Sequence, residues 1–433
     1  MTIIEKSKGE NAGEKLVAKL CDNTFLKLWS YPNLYNSKKQ ELCDLLVVFE
    51  NKVFIFSVKD IEYNSSIEKN IAWKRWKKRA IDESIKQVNG AERWIKNYPD
   101  KIYLDMNCSK KFPLEIPKDN LKIYKIIVAL GAEEACINDS PNNITGALAI
   151  TYCEKSVRPE DQPFRIVFDK TEKIHVLDSY NLGIILNELD TISDISQYFQ
   201  AKEKLIDKLS VLTYCGEEDL LGNYLQKYKE FSNLDVSLPK NVGAIFVKEG
   251  GWQKVVESSG YKSWKKSLNV SYKWDKLLQL ASEYALNDKL EGSGLIFQGK
   301  SALYEMAKEP RNMRRLLAKK LIKEQNKKYK GRDYSIVSCP SSIKDSYYVI
   351  LQYPLNENII EKRELVKKEL SMLCETFLGV ETSAKKIIGV AINSFGNQKY
   401  LFADFALLDC EQITDETKES FKELARKTNF WSK

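Results

Sequence analysis

Two apolar runs, residues 42–49 and 53–58, separated by a short polar break, constrain this chain more than any other feature of it. Runs of this length, rich in β-branched and aromatic residues, predict an antiparallel strand pair. With Asn51-Lys52 as the turn, Glu50 faces Val53 and Asp44 faces Lys59. Side chains alternate along a strand, so Ser57 and Lys59 share a face, with Leu46 opposite Ser57, and Asp44 lies about 5 Å from Lys59 between Cβ atoms. Asn tolerates the positive φ of a two-residue turn better than Lys does, which leaves a shifted register as the alternative. A carboxylate entering one strand and a lysine leaving the next form a candidate charged site. Taken alone, it reads equally as a strand pair that ends in a surface ion pair.

Histidine chemistry is nearly excluded. The chain of 433 residues has one histidine, His175, so histidine-based zinc sites and Ser-His-Asp triads are improbable. His175 itself, beside Val176 and Leu177, reads as a structural strand residue. Any metal would be a hard cation held by carboxylates, Mg²⁺ or Mn²⁺. Nine cysteines without a CxxC pair read as reduced thiols of a cytoplasmic protein, and the first residues do not resemble a secretory signal. No apolar run reaches the length of a membrane span. A net charge of +8 is a modest pull toward polyanions.

The length suits two or three domains. Periodicity predicts a first helix over 10–21, with Leu16, Val17, Leu20 and Cys21 as its stripe, Gly13 at a close approach to a sheet and Glu14 at the stripe's edge. A strand over 25–29, the hairpin, a long helix over 71–95 and a strand over 123–130 follow. Shorter strands over 164–168 and 174–177 come next, then helix through 180–228. This is an α/β order with a mixed sheet in a three-layer core. The composition break at 232–239 places a boundary there, giving domains of 1–235 and 236–433, the second a separate α+β unit for recognition or partner binding. Two cationic segments stand out. Lys74, Arg75 and Lys78 alternate with Trp73 and Trp76. A basic helix over 311–328 carries Arg311, Arg314, Arg315, Lys319 and Lys320, with Met313, Leu316, Leu317, Leu321 and Ile322 as its expected buried face. Both read as phosphate-contacting surfaces or as solvated helix faces.

Glu14, Asp44, Ser57-Val58-Lys59 and Gln87 on the next helix together resemble the PD-(D/E)XK, or restriction-endonuclease-like, superfamily. Within it they are most similar to archaeal Holliday-junction resolvases and methyl-directed restriction nucleases, over about residues 1–180. The resemblance implies a Mg²⁺- or Mn²⁺-dependent endonuclease acting on DNA, with RNA left open. Glu14 and Asp44 would be its metal ligands, Lys59 would handle the water or the developing charge, and Gln87 would complete the site. It also implies restriction or anti-phage defence, with a homo-oligomer or a partner protein. One position departs from the family: the second carboxylate, two residues before the lysine, is here Ser57. Some branches with serine there recruit an acid from the next helix, and Glu83, four residues before Gln87, is the natural substitute and third metal ligand; Glu68 and Glu62 are weaker ones. The alternative is a nucleic-acid-binding or scaffold protein with a decayed site.

Overall fold

The expected hairpin forms, and a six-stranded sheet is built around it. The computed structural model describes residues 6–139, 145–228, 242–286, 299–324, 334–353, 363–393 and 403–431. Helix α1 (Ala12–Phe25) begins at Asn11, whose side chain accepts the Glu14 backbone N–H at 2.9 Å. Leu26 ends it with φ of 64°, so the chain turns where a strand over 25–29 was expected, and the first strand, β1 (Ser30–Asn36), comes later. Strands β2 (Glu41–Phe49) and β3 (Lys52–Asp60) pair antiparallel, Phe49 with Lys52 and Leu45 with Phe56.

The turn is therefore Glu50-Asn51, one residue earlier than expected. Glu50 carries the positive φ, 52°. Asn51 is tied to the neighbouring chain instead: its side chain donates to the Asn120 carbonyl at 3.0 Å, and its carbonyl accepts from Lys122 N at 2.8 Å. Moving a turn by one residue changes each cross-strand partner by two, so the face assignments survive. Leu46 opposes Ile55 and not Ser57. Asp44 remains on the Ser57 and Lys59 side.

The helix expected over 71–95 is two helices, α2 (Lys69–Lys77) and α3 (Glu83–Asn97), joined by one π-helical turn over Lys78–Asp82. After β4 (Ile102–Tyr103), strand β5 (Lys122–Leu130) pairs parallel with β3, Lys59 beside Ala129. Next come α4 (Glu133–Asp139), β6 (Ala149–Cys153), β7 (Arg165–Asp169) and β8 (Ile174–Asp178). The first sheet has the order β4-β1-β2-β3-β5-β8 and is mixed. Gly13 lets α1 approach one face closely: a Cβ there would meet Leu130, Asp60 and Val58 at 3.2–3.4 Å. On the other face, α3 reaches Ser57 through Gln87. The sheet is thus the middle of three layers.

Helices α5 (Asn181–Glu188) and α6 (Ile192–Lys208) follow, then β9 (Val211–Tyr214) and α7 (Glu217–Tyr228), so the stretch expected to stay helical is broken by a strand. With β10 (Ala244–Val247), it builds a second sheet, β10-β9-β6-β7. Leu212 and Tyr214 bury into that sheet's core, which a helix at the same place could not do with this alternation. His175 is fully buried in β8, stacked on Phe199 at 4.2 Å, and burial lowers its pKa, so it is a neutral core residue as expected.

Helices α8 (Gly251–Glu257) and α9 (Ser259–Leu268) lead to the division between two compact units, which falls at Lys262 and Ser263; Thr191–Ser193 group with the second unit. The expected boundary, 232–239, lies outside the described residues, and 242–262 group with the first unit. Asp219 on α7 caps α8 by accepting Trp252 N at 2.9 Å, and a Cβ on Gly222 would touch the Trp252 backbone at 3.0 Å.

The second unit has helices α10 (Tyr272–Leu286), α11 (Gly299–Ala307) and α12 (Arg311–Glu324), then β11 (Ser335–Pro340) and β12 (Ser346–Tyr353). Helix α13 (Arg363–Val380), strands β13 (Lys386–Asn393) and β14 (Ala403–Asp409) and helix α14 (Asp415–Thr428) complete it. Its sheet, β11-β12-β13-β14, is mixed, parallel only at β12–β13. Leu370, Leu373, Cys374 and Phe377 of α13 pack on Val349, Leu351, Ile387 and Ala391 of the sheet. All nine cysteines are unpaired. Among the described residues no helix is long and apolar enough to cross a membrane.

Candidate active site

Asp44 is 3% exposed in the middle of the first sheet, a costly place for a carboxylate. Two hydrogen-bond donors and one cation reach it. Its Oδ2 accepts the Val58 backbone N–H at 2.5 Å, and its Oδ1 accepts Gln87 Nε2 at 2.9 Å. Lys59 Nζ lies 3.7 Å from Oδ2. Burial nevertheless holds the Asp44 carboxyl above the ordinary aspartate range, against the pull of Lys59 and the two hydrogen bonds, and the Glu14 charge adds to the rise. Burial thus outweighs the compensation that its neighbours give the carboxylate's charge.

Ser57 explains how Gln87 is aimed. The serine is fully buried, and its Oγ donates to Gln87 Oε1 at 2.6 Å. With Oε1 accepting, the amide must turn Nε2 toward Asp44. Ser57 thus orients an amide and supplies no charge.

Glu14 occupies the third position of α1 and reaches back in a variant of the capping box, to the residue before the N-cap. Its Oε2 accepts from Glu10 N at 2.7 Å and from Asn33 Nδ2 at 3.0 Å, and its Oε1 from Asn11 Nδ2 at 2.5 Å. It therefore has a structural task as well as a place near Asp44. The Asn11-Ala12-Gly13-Glu14 spacing announces such a box.

Glu83 does not join the site. It is exposed, and its side chain has no hydrogen-bond or ion-pair partner among the described residues. At about 100° per residue, it sits some 40° further round α3 from the buried Ser84, Val88 and Ala91 than Gln87 does. Glu68 is the N-cap of α2, bonded to Asn70 N and Ile71 N, and Glu62 is exposed.

An unanticipated carboxylate, Glu41, takes part instead. The β1–β2 register slips between Leu34, opposite Cys43, and Tyr35, opposite Glu41, so Leu42 is an extra residue. A bulge of one residue reverses the alternation, and Glu41, an odd number of positions from Asp44, returns to its face. Asn33, buried and at φ of 50°, donates to Glu14 and also toward Glu41 Oε1 at 3.4 Å. Partial burial, then the charges of Asp44 and Glu14, push the Glu41 carboxyl up. No periodic reading of β2 finds this residue, because the bulge breaks the period.

Among the described residues, no three His, Cys, Asp or Glu side chains stand close enough to hold a metal ion between them. The donors near Asp44 are nevertheless hard oxygens. They fit Mg²⁺ or Mn²⁺ in the mode that uses one or two carboxylates and leaves the remaining positions to water and phosphate.

Of the cationic residues, Lys74, Arg75 and Lys78 are exposed. Trp73 and Trp76 are buried, stacked at 5.5 Å between ring centroids. The basic helix is a correction. Arg311 and Arg314 of α12 are buried, and Asp275 takes both guanidinium groups, at 2.6 and 2.8 Å; Arg314 also donates to the Glu309 and Ala307 carbonyls. Arg315 donates to Ser267 Oγ at 3.1 Å, and Lys320 to the Ser338 carbonyl. Among the described residues of α12, Lys319 and Lys323 stay exposed without a side-chain partner. Leu316, expected inside, is 54% exposed, because the arginines take its place on the packed face. Lys327 and Lys328 lie outside the described residues.

Searched against protein-family models, curated proteins and solved structures, the chain matches none of them.

Proposed function

We propose that the first unit is a divalent-cation-dependent nuclease of the restriction-endonuclease-like kind, hydrolysing phosphodiester bonds of DNA. The observation that carries this is the buried Asp44, aimed by Gln87 and the Val58 N–H, with the Lys59 ammonium 3.7 Å away at the mouth of a mixed sheet. Mg²⁺ or Mn²⁺ bound at Asp44, with Glu14 and Glu41 nearby, would polarise the phosphate and lower the pKa of a bound water. Asp44 supplies the fixed anion for that cation. Lys59, 28% exposed, is placed to orient the attacking water or to sit beside the charge that develops on the phosphate. The Ser57–Gln87 pair keeps Asp44 in one orientation, so no reorganisation is needed when substrate binds.

A second reading is a polynucleotide-binding protein whose catalytic site has decayed. It is favoured by Ser57, which puts no carboxylate at the family's second acid position. The two readings part in one experiment. Duplex DNA, single-stranded DNA and RNA are each incubated with Mg²⁺ and either the wild-type chain or Lys59→Ala. The nuclease reading expects cleavage of DNA that the substitution removes while binding persists. Binding without cleavage by either protein supports the second reading.

A further inference from the structure

The π turn leaves α2 and α3 with one continuous flank. Arg75, Arg79, Glu83 and Gln87 recur every four residues, each up to about 40° round from the last, and this slanting row ends at the amide that holds Asp44. At 1.5 Å per residue, Arg79 stands about 12 Å and Arg75 about 18 Å from Gln87 along the axis. Beside them on the solvent side are Lys74 and Lys78. All four cations are exposed, and none has a carboxylate within ion-pair distance among the described residues; Glu68 acts on Lys74 only at longer range. Lys77 is excluded, because Asp161 lies 3.7 Å from its Nζ.

The aromatic residues between these cations are not available to bases. Trp73 is 4% and Trp76 2% exposed; Trp73 also packs on Phe164 at 5.2 Å, and Trp76 Nε1 donates to the Ile61 carbonyl at 2.8 Å. They anchor α2 to the core beneath its charged face. Proteins that hold single strands pair a basic groove with aromatic platforms on which bases stack. Here the charge is exposed and the platforms are internal. Such a surface holds phosphates and reads no sequence.

We infer that Lys74, Arg75, Lys78 and Arg79 grip the phosphate backbone of duplex DNA, independently of sequence, and lead one strand along the helix row to Asp44 and Lys59. This rests on the nuclease reading above and adds the form of the substrate and the way it is held. The clustered positive charge of Lys74, Arg75, Lys78 and Arg79, and the continuation of their flank past the exposed Glu83 to Gln87, carry the argument.

The test uses the full chain carrying Lys59→Ala, with and without Arg75→Gln and Arg79→Gln. Fluorescence anisotropy reports binding of labelled duplexes of unrelated sequence, and of the matching single strands, over a salt series. The parent should bind all duplexes alike and more tightly than single strands. The double variant should weaken binding to every duplex and flatten the log–log salt dependence by about 1.8, at about 0.9 per phosphate contact. Its thermal stability should match the parent's, since exposed charges contribute little to folding. Unchanged affinity and slope, in a protein whose wild-type form cleaves DNA, would overturn this inference and leave the nuclease reading standing. Tighter binding of single strands, or strong sequence preference, would overturn it equally. A wild-type chain that neither binds nor cleaves any polynucleotide defeats both.

Discussion

Replacing Gln87 with leucine removes the amide that joins Ser57 to Asp44 while keeping much of the side chain's volume. Asp44 then loses its 2.9 Å donor and keeps the Val58 N–H and Lys59. A hydrogen bond to a charged group is worth about 1.5–3 kcal/mol, and about 1.4 kcal/mol corresponds to a factor of ten. The ionised form of Asp44 is disfavoured by that amount, roughly ten- to a hundredfold in its protonation equilibrium. Burial already raises this carboxyl, so the folded protein retains the Asp44 proton to higher pH than an unfolded chain does. If cleavage needs ionised Asp44, the acid limb of the rate profile moves to higher pH in Gln87→Leu. Activity drops most on the acid side of the profile and recovers on the alkaline side. Initial rates of plasmid nicking between about pH 5 and about pH 9 measure this, with Glu83→Gln as the control one turn away and an unchanged profile expected for it. Superimposable profiles for wild type and Gln87→Leu, or a loss of rate that is the same at every pH, would refute the reasoning.

Asp44→Asn should leave the fold at least as stable at neutral pH. A raised folded pKa means that the carboxylate costs stability above it, and that this cost disappears as pH falls through it; wild type and variant should therefore converge in thermal melts on acidification. Glu41→Gln should weaken Mn²⁺ binding measured by calorimetry, while Glu83→Gln leaves it unchanged; equal effects would remove Glu41 from the site. In the second unit, Asp275→Asn strands the buried Arg311 and Arg314 charges and should cost about 3–5 kcal/mol in urea unfolding. Lys319→Gln should change stability by less than about 0.5 kcal/mol.

What the chain discloses in advance follows from how local the cause is. The hairpin is legible because apolar runs and a polar break are local signals, and the face shared by Asp44, Ser57 and Lys59 survives a misplaced turn because parity survives a two-residue change of partner. Gln87 is legible as a helical position. Its partner choice is not, since that depends on the Ser57 hydroxyl one layer away. Glu41 is hidden by the Leu42 bulge, which tertiary pairing with β1 imposes. The charges of α12 mislead for a related reason: periodicity marks Arg311 and Arg314 as cations, and only the fold reveals Asp275 facing both. The cations of α2 differ because the neighbouring tryptophans, not the arginines, fill the interior.

The most direct measurement is the fate of supercoiled plasmid incubated with the full chain, with Mg²⁺ or Mn²⁺ and with EDTA, beside Asp44→Asn. Cleavage that requires the cation and is abolished by Asp44→Asn, in a variant that melts no lower than wild type, is the predicted result. Full cleavage in EDTA, or an active Asp44→Asn protein, would contradict a hydrolytic centre built on Asp44.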